Sequence, residues 1–122
     1  MASLKDMRFI IHDVLDTEGH LASLGVDASC DRAFIDAVLN EAFKFTDGEL
    51  KPLNASGDRE GCTLKDGVVT TPAGFREAYR GYIAGGWAGL VGPTEYGGQA
   101  LPPTFGLMLE ELICTANMAF AM

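Results

Sequence analysis

The chain holds 122 residues, 48% of them hydrophobic, which suffices for one domain with a real core and falls short of two. A formal net charge of −8 argues against nucleic acid and anionic membrane surfaces as partners, because both repel an acidic protein at long range. No basic stretch leads into an apolar leader, and no apolar run approaches the ~20 residues needed to span a bilayer, so a soluble, cytoplasmic protein is expected.

From Ser3 to Asp16, Leu4, Met7, Ile11, Val14 and Leu15 fall on one helical stripe, which predicts a first amphipathic helix. Thr17-Glu18-Gly19 interrupts it, and a single turn is expected around His20 to Leu24. The stretch from Asp27 to Asp31 offers several N-caps for a longer helix whose inner face is Phe34, Ile35, Val38, Leu39, Ala42 and Phe43. Leu50 and Leu53 continue that stripe, so the helix is predicted to reach about Leu53 with a weak point at Gly48.

Asn54 to Gly61 reads as a polar loop. It leads into a hairpin near residues 62–70, where Asp66-Gly67 between β-branched flanks asks for a type I′ turn. Two strands alone are marginal, so the hairpin is expected to lie as a clip on helices. The next helix spans Pro72 to Ala84, with Phe75, Ala78, Tyr79, Tyr82 and Ile83 inward and Gly85-Gly86 as its stop.

After it comes a Gly- and Pro-dense stretch carrying Trp87 and Tyr96, then Pro102-Pro103 and an apolar helix running to Met122. Prolines suit a first helical turn, whose amides lack partners anyway. Phe105, Met108, Leu109, Leu112, Ile113, Ala116 and Phe120 recur at three- and four-residue steps, the mark of a buried face. No cap closes this pattern, and the chain is expected to be the front part of a longer protein. Trp87 is expected to be mostly buried, anchoring the turn against the long helices.

Few residues here have the company that chemistry needs. Cys30, Cys62 and Cys114 are odd in number and widely spaced, which fits neither a disulfide framework nor a zinc site and predicts buried or incidental thiols. His12 and His20 have no acidic or cysteine partner at ligand spacing, so no metal is expected and His12 is read as a surface or half-buried residue. Neighbouring Glu110 and Glu111 point about 100° apart on a helix, so one is read as solvated and the other as paired with a basic side chain. Ser3 and Ser56 lack a nucleophile elbow. The glycines from Gly81 to Gly98 match no phosphate-binding pattern and are read as a backbone that turns sharply and packs closely.

The string Gly86-Trp87-Ala88-Gly89-Leu90, then Gly92-Pro93-Thr94-Glu95-Tyr96-Gly97-Gly98-Gln99-Ala100-Leu101, then a helix with Leu109-Glu110-Glu111-Leu112, resembles the N-terminal helical domain of the acyl-CoA dehydrogenases. Ala100 departs from the pattern, which usually has glycine there. The segments Leu4 to Leu15 and Ser56 to Pro72 look like the larger bacterial members of that family, so the resemblance covers nearly the whole chain.

It implies an all-α, bundle-like N-terminal domain over residues 1–122, with the small hairpin near 62–70 and residues 1–30 as a family-specific extension. It implies α,β-dehydrogenation of an acyl-CoA thioester by FAD, with electrons passing on to an electron-transfer flavoprotein. The family's glutamate base and most FAD contacts lie in later domains, so none of these 122 residues is carried over as catalytic and this part is expected to be inert alone. What it contributes by resemblance is one wall of the acyl pocket, at Met118, Phe120, Ala121 and Met122, whose plainer reading is core against the other domains. The implied partners are the acyl-CoA substrate, the remaining domains, the electron-transfer flavoprotein and further copies in a homo-oligomer. The competing reading is a stand-alone helical interaction module derived from the same fold, docking a protein through its apolar end.

Overall fold

A computed structural model of the protein describes residues 3–26 and 30–122. Helix α1 (Leu4–Arg8) is capped by Ser3, whose side chain accepts from the Asp6 amide. It then widens into a π-helical turn over Phe9–Val14, where the Leu15 amide reaches back five residues to the Ile10 carbonyl. A π turn takes in one extra residue, which rotates everything after it by about 100° relative to an unbroken α-helix. Met7 and Ile11 therefore point into the core as expected, whereas Val14 and Leu15 turn out to solvent and His12 turns in. The uninterrupted 3.6-residue period assumed for this stripe fails at that one inserted position.

Helix α2 (Thr17–Ser23) starts at Asp16, a left-handed N-cap whose carboxylate accepts from the Gly19 amide. Of the caps foreseen before the long helix, Asp31 performs the task by accepting from the Phe34 amide, while Asp27 and Ser29 lie outside the described residues. Helix α3 (Arg32–Phe45) buries Ile35, Leu39 and Ala42. A second π turn, Thr46–Leu50, straddles Gly48, and α4 (Lys51–Glu60) follows without a break.

The polar stretch after Leu53 is thus helix and not loop. Its polar side chains face water, and Gly57 is there for close approach: a Cβ on it would come within 2.6 Å of the Phe75 ring. The chain turns only at Gly61, at φ 66°. Strands β1 (Thr63–Lys65) and β2 (Val68–Thr70) pair antiparallel with Leu64 opposite Val69. Asp66 and Gly67 both have positive φ, as a type I′ turn requires. Every residue of the two strands is exposed, so the hairpin projects and does not lie on helices as expected.

Helix α5 (Phe75–Ala84) begins later than Pro72, at a left-handed Gly74. The Ala73 amide before it donates to both Glu60 carboxylate oxygens at 3.1 Å, which ties the start of α5 to the end of α4 across the hairpin. Ala78 is buried and Phe75 and Tyr82 are half-buried, but Tyr79 and Ile83 are exposed. Gly85 and a left-handed Gly86 end the helix as expected.

Two single 3₁₀ turns, Trp87–Gly89 and Thr94–Tyr96, then fold the Gly-rich stretch back on itself. Gln99 donates through its amide to the Gly89 carbonyl, Ala100 to Gly92, and Leu101 to Leu90. Ala100 holds φ 51°, a left-handed value that costs an L-residue roughly 1–2 kcal/mol. Ala100→Gly relieves that strain and gives back ~0.4–1 kcal/mol of unfolded-chain entropy. The variant should raise the denaturation midpoint, by a net gain of up to about 1.6 kcal/mol. A clear loss of stability would mean that the alanine methyl has a packing role.

Helix α6 (Pro103–Ala116) closes the core by lying against α3 and the second π turn. Phe105, Met108, Leu109, Leu112, Ile113 and Ala116 are all buried on it, the face expected from its spacing. The helix does not run on to Met122. At Asn117 the backbone is extended (φ −158°, ψ 92°), and a separate short helix α7 (Met118–Ala121) leaves in a new direction. The architecture is helical with one two-stranded antiparallel hairpin, in agreement with an all-α domain. No helix among the described residues is long and apolar enough to cross a membrane.

Candidate functional site

An aromatic row links the Gly-rich turn to the C-terminal turn of the chain. Trp87 is half-buried, less than expected, and stacks on Phe45 with ring centroids 6.4 Å apart. Phe45 packs on Tyr82 at 6.3 Å, Tyr82 receives Phe120 edge-on at 6.0 Å, and Phe120 leans on Phe75 at 6.4 Å. Such pairs favour tilted or edge contacts, because the ring edge is positive and its face negative. Burial pushes the Tyr82 hydroxyl above its ordinary pKa, and the neighbouring Tyr79 and Glu110 push the same way. Tyr82 is therefore a neutral hydrogen-bonding group across the physiological range.

The glycines make this packing possible. A Cβ on Gly85 would sit 2.7 Å from Trp87 Nε1, and one on Gly86 would sit 2.8 Å from Gln99 Nε2, which donates to the Gly86 carbonyl. Gly106 of α6 lies under Val91, with 3.2 Å from its would-be Cβ to the valine methyl. Glycine thus serves close approach here, as the sequence reading had it.

Of the four residues assigned to an acyl wall, Phe120 and Ala121 line hollows. Phe120 forms part of a cleft of about 620 Å³ beneath the hairpin, with Val68, Pro72, Phe75 and Tyr79. Ala121 borders a smaller hollow of about 240 Å³, with Tyr82, Trp87, Leu109, Glu110 and Ile113. Met118 and Met122 stand in solvent at 55% and 99% exposure. On this chain Phe120 and Ala121 thus border two different hollows.

Asn117 was not foreseen as a functional residue. It is 1% exposed at the junction of α6 and α7, its Nδ2 donates to the Leu50 carbonyl at 3.1 Å, and its Oδ1 accepts from the Phe120 amide. A polar residue on an inward face is the signal that could have found it, since such residues are buried only when bonded.

The other polar cluster lies at the far end of the core. Arg8 Nε donates to Asp36 Oδ1 at 2.9 Å and Arg8 Nη2 to Asn40 Oδ1 at 2.6 Å, while His12 Nε2 lies 3.2 Å from Asp36 Oδ1. Burial pushes the Asp36 carboxyl up, but the hydrogen bonds from His12 and Arg8 and their charge outweigh it, leaving its pKa below the usual value. These groups satisfy one another and fasten α1 to α3. His12 is buried here, where a surface or half-buried place was expected. Glu110 and Glu111 are both exposed and neither makes an ion pair among the described residues, contrary to the pairing expected for one of them. Cys30 is buried, Cys62 exposed and Cys114 intermediate. The described residues hold no cluster of His, Cys, Asp or Glu suited to a metal ion.

A helical layer with a Gly- and Trp-bearing turn folded on its last long helix fits an N-terminal fragment of an acyl-CoA dehydrogenase. The chain is similar to the 3-methylmercaptopropionyl-CoA dehydrogenase of Ruegeria pomeroyi (strain ATCC 700808 / DSM 15171 / DSS-3), at 36% identity over 86 residues. That alignment takes in 70% of this chain but only 15% of the relative, so the chain spans a small part of the enzyme it matches. No protein-family model matches the chain.

Proposed function

We propose that residues 1–122 form the N-terminal helical domain of an FAD-dependent, cytoplasmic acyl-CoA dehydrogenase, with residues 1–30 as an added N-terminal segment. Its part is to pack against the remaining domains and to present Phe120 and Ala121, flanked by Met118 and Met122, as one wall of the acyl pocket. Apolar and thioether side chains suit an acyl chain, because they give up little on leaving water and adapt to an irregular shape. The observation that carries the reading is the 36% identity to a named acyl-CoA dehydrogenase.

The hollow beside the Gly-rich turn does not suit FAD. That hollow, about 700 Å³ between α3, α5 and the Gly-rich turn, has Glu41 and Glu49 on its rim, and its Lys44 is tied to Glu41. An acidic rim repels a pyrophosphate. The flavin, the proton-abstracting base and the contact with an electron-transfer flavoprotein therefore belong to other parts of the enzyme in this reading, as does assembly into a homo-oligomer.

A chimaera tests it: this chain replaces the matching segment of the Ruegeria pomeroyi enzyme, and flavin content and acyl-CoA oxidation are measured. The expected result is a yellow protein that oxidises acyl-CoA, with Phe120→Asp raising KM. A chimaera that folds and binds flavin yet leaves acyl-CoA untouched would remove the assignment, and would favour the interaction-module reading.

A further inference from the structure

Between α6 and α7 the chain changes direction at a single buried residue, and the bonds of that residue run both ways. Asn117 Nδ2 holds the Leu50 carbonyl at the end of the second π turn, a contact across sixty-seven positions of sequence. Its Oδ1 accepts from the Phe120 amide at 3.1 Å, which caps α7. The Ala121 amide also returns to the Asn117 carbonyl. One side chain thus fastens a four-residue helix, too short to be stable by itself, to the middle of the longest helical run in the fold. Phe120, the residue so capped, reaches Tyr82 and Phe75.

From this geometry we propose that Asn117 is a positioning residue that sets the direction of α7 and with it the depth of the acyl wall; this rests on the acyl-wall reading above. Asn117 itself has almost no surface to offer a ligand. Its influence on acyl-chain length passes through Phe120, whose hollow is lined by Phe75 and Tyr79, and Ala121, whose hollow is lined by Tyr82. The π turn matters because its widened spacing places the Leu50 carbonyl where α6 ends. Both halves of the contact are needed: an acceptor on α4's approach and a side chain with a donor and an acceptor on opposite arms. Asparagine has both, whereas aspartate keeps the cap and lacks the donor.

The test uses two variants and two readouts. In the chain itself, Asn117→Ala should speed hydrogen exchange of the Phe120 amide and shift the Tyr82 ring resonances, and Asn117→Asp should shift the rings while retaining part of the amide protection. In the chimaera, both variants should raise KM for the longer of two acyl-CoA substrates by about tenfold with kcat within about twofold, the pattern of lost binding geometry and not of lost chemistry. Asn117→Asp covers the case in which Asn117→Ala does not fold. A lower melting temperature with KM unchanged for both substrates would assign Asn117 a purely structural part and overturn the inference. An active wild-type chimaera with unmoved variants defeats this inference alone; an inactive wild-type chimaera defeats the acyl-wall reading and this inference together.

Discussion

Phe105→Ala should cost ~3–5 kcal/mol, enough to take a large share of the ~5–15 kcal/mol that holds a domain of this size together. Phe105 is 1% exposed and is the largest of the fully buried side chains. It stands in the first turn of α6, its amide bonded to the Pro102 carbonyl at 2.9 Å, so the two prolines fix where the ring enters the core. There it meets Phe34 of α3 with centroids 5.8 Å apart. Truncation leaves a void between the two helices whose contact closes the core, and neither can move in to fill it: α3 is held by the Arg8–Asp36 bonds and α6 by Asn117. Urea denaturation of the two proteins reads the difference directly. A loss below about 1 kcal/mol would show that α3 and α6 collapse onto the gap, contrary to the rigidity argued here.

Long stripes were legible in the sequence, and interruptions of helical geometry were not. The inward face of α6 could be read because its period is unbroken for fourteen residues. The first helix was half legible: Met7 and Ile11 obey the period, but the π turn after Arg8 inserts a residue, and its local sequence of Phe, Ile and His carries no mark of doing so. Gly57 misled for a related reason. Inside a polar run a glycine reads as loop, and only the Phe75 ring resting on it reveals that it belongs to a helix. The hairpin turn was legible because Asp-Gly chemistry is local, whereas its projection from the body was not, since it depends on what the rest of the fold fails to reach. The resemblance named Met118, Phe120, Ala121 and Met122 together as a proposed acyl wall. The bond of Asn117 to the Leu50 carbonyl could not be read, because Leu50 is distant in sequence and lies on a turn whose width the sequence does not announce.

The Gly-rich turn should be the least tolerant site in the molecule. At Gly98 a Cβ would stand 2.1 Å from the Gly92 oxygen, 2.3 Å from its carbonyl carbon and 2.7 Å from its Cα. All three are backbone atoms, so no side chain can swing aside, and relief requires opening the turn. Opening it breaks the paired bonds from Gln99 to Gly89 and from Ala100 to Gly92, which lie on either side of the contact. Trp87, Leu90 and Val91 then lose the frame that sets them against Phe45 and α6. Gly98→Ala should accordingly cost at least the ~1–3 kcal/mol usual for overpacking, at or beyond the upper end. Gly48→Ala is the matched control. It sits within the π turn with nothing inside 4 Å of its would-be Cβ and no positive φ. There the added methyl only improves helix propensity, a gain of about 0.5–1 kcal/mol. Thermal melts of both variants beside the wild type should move in opposite directions. If Gly98→Ala melts with the wild type, the turn has room to breathe and the close packing of Gly92 on Gly98 is not what fixes Trp87.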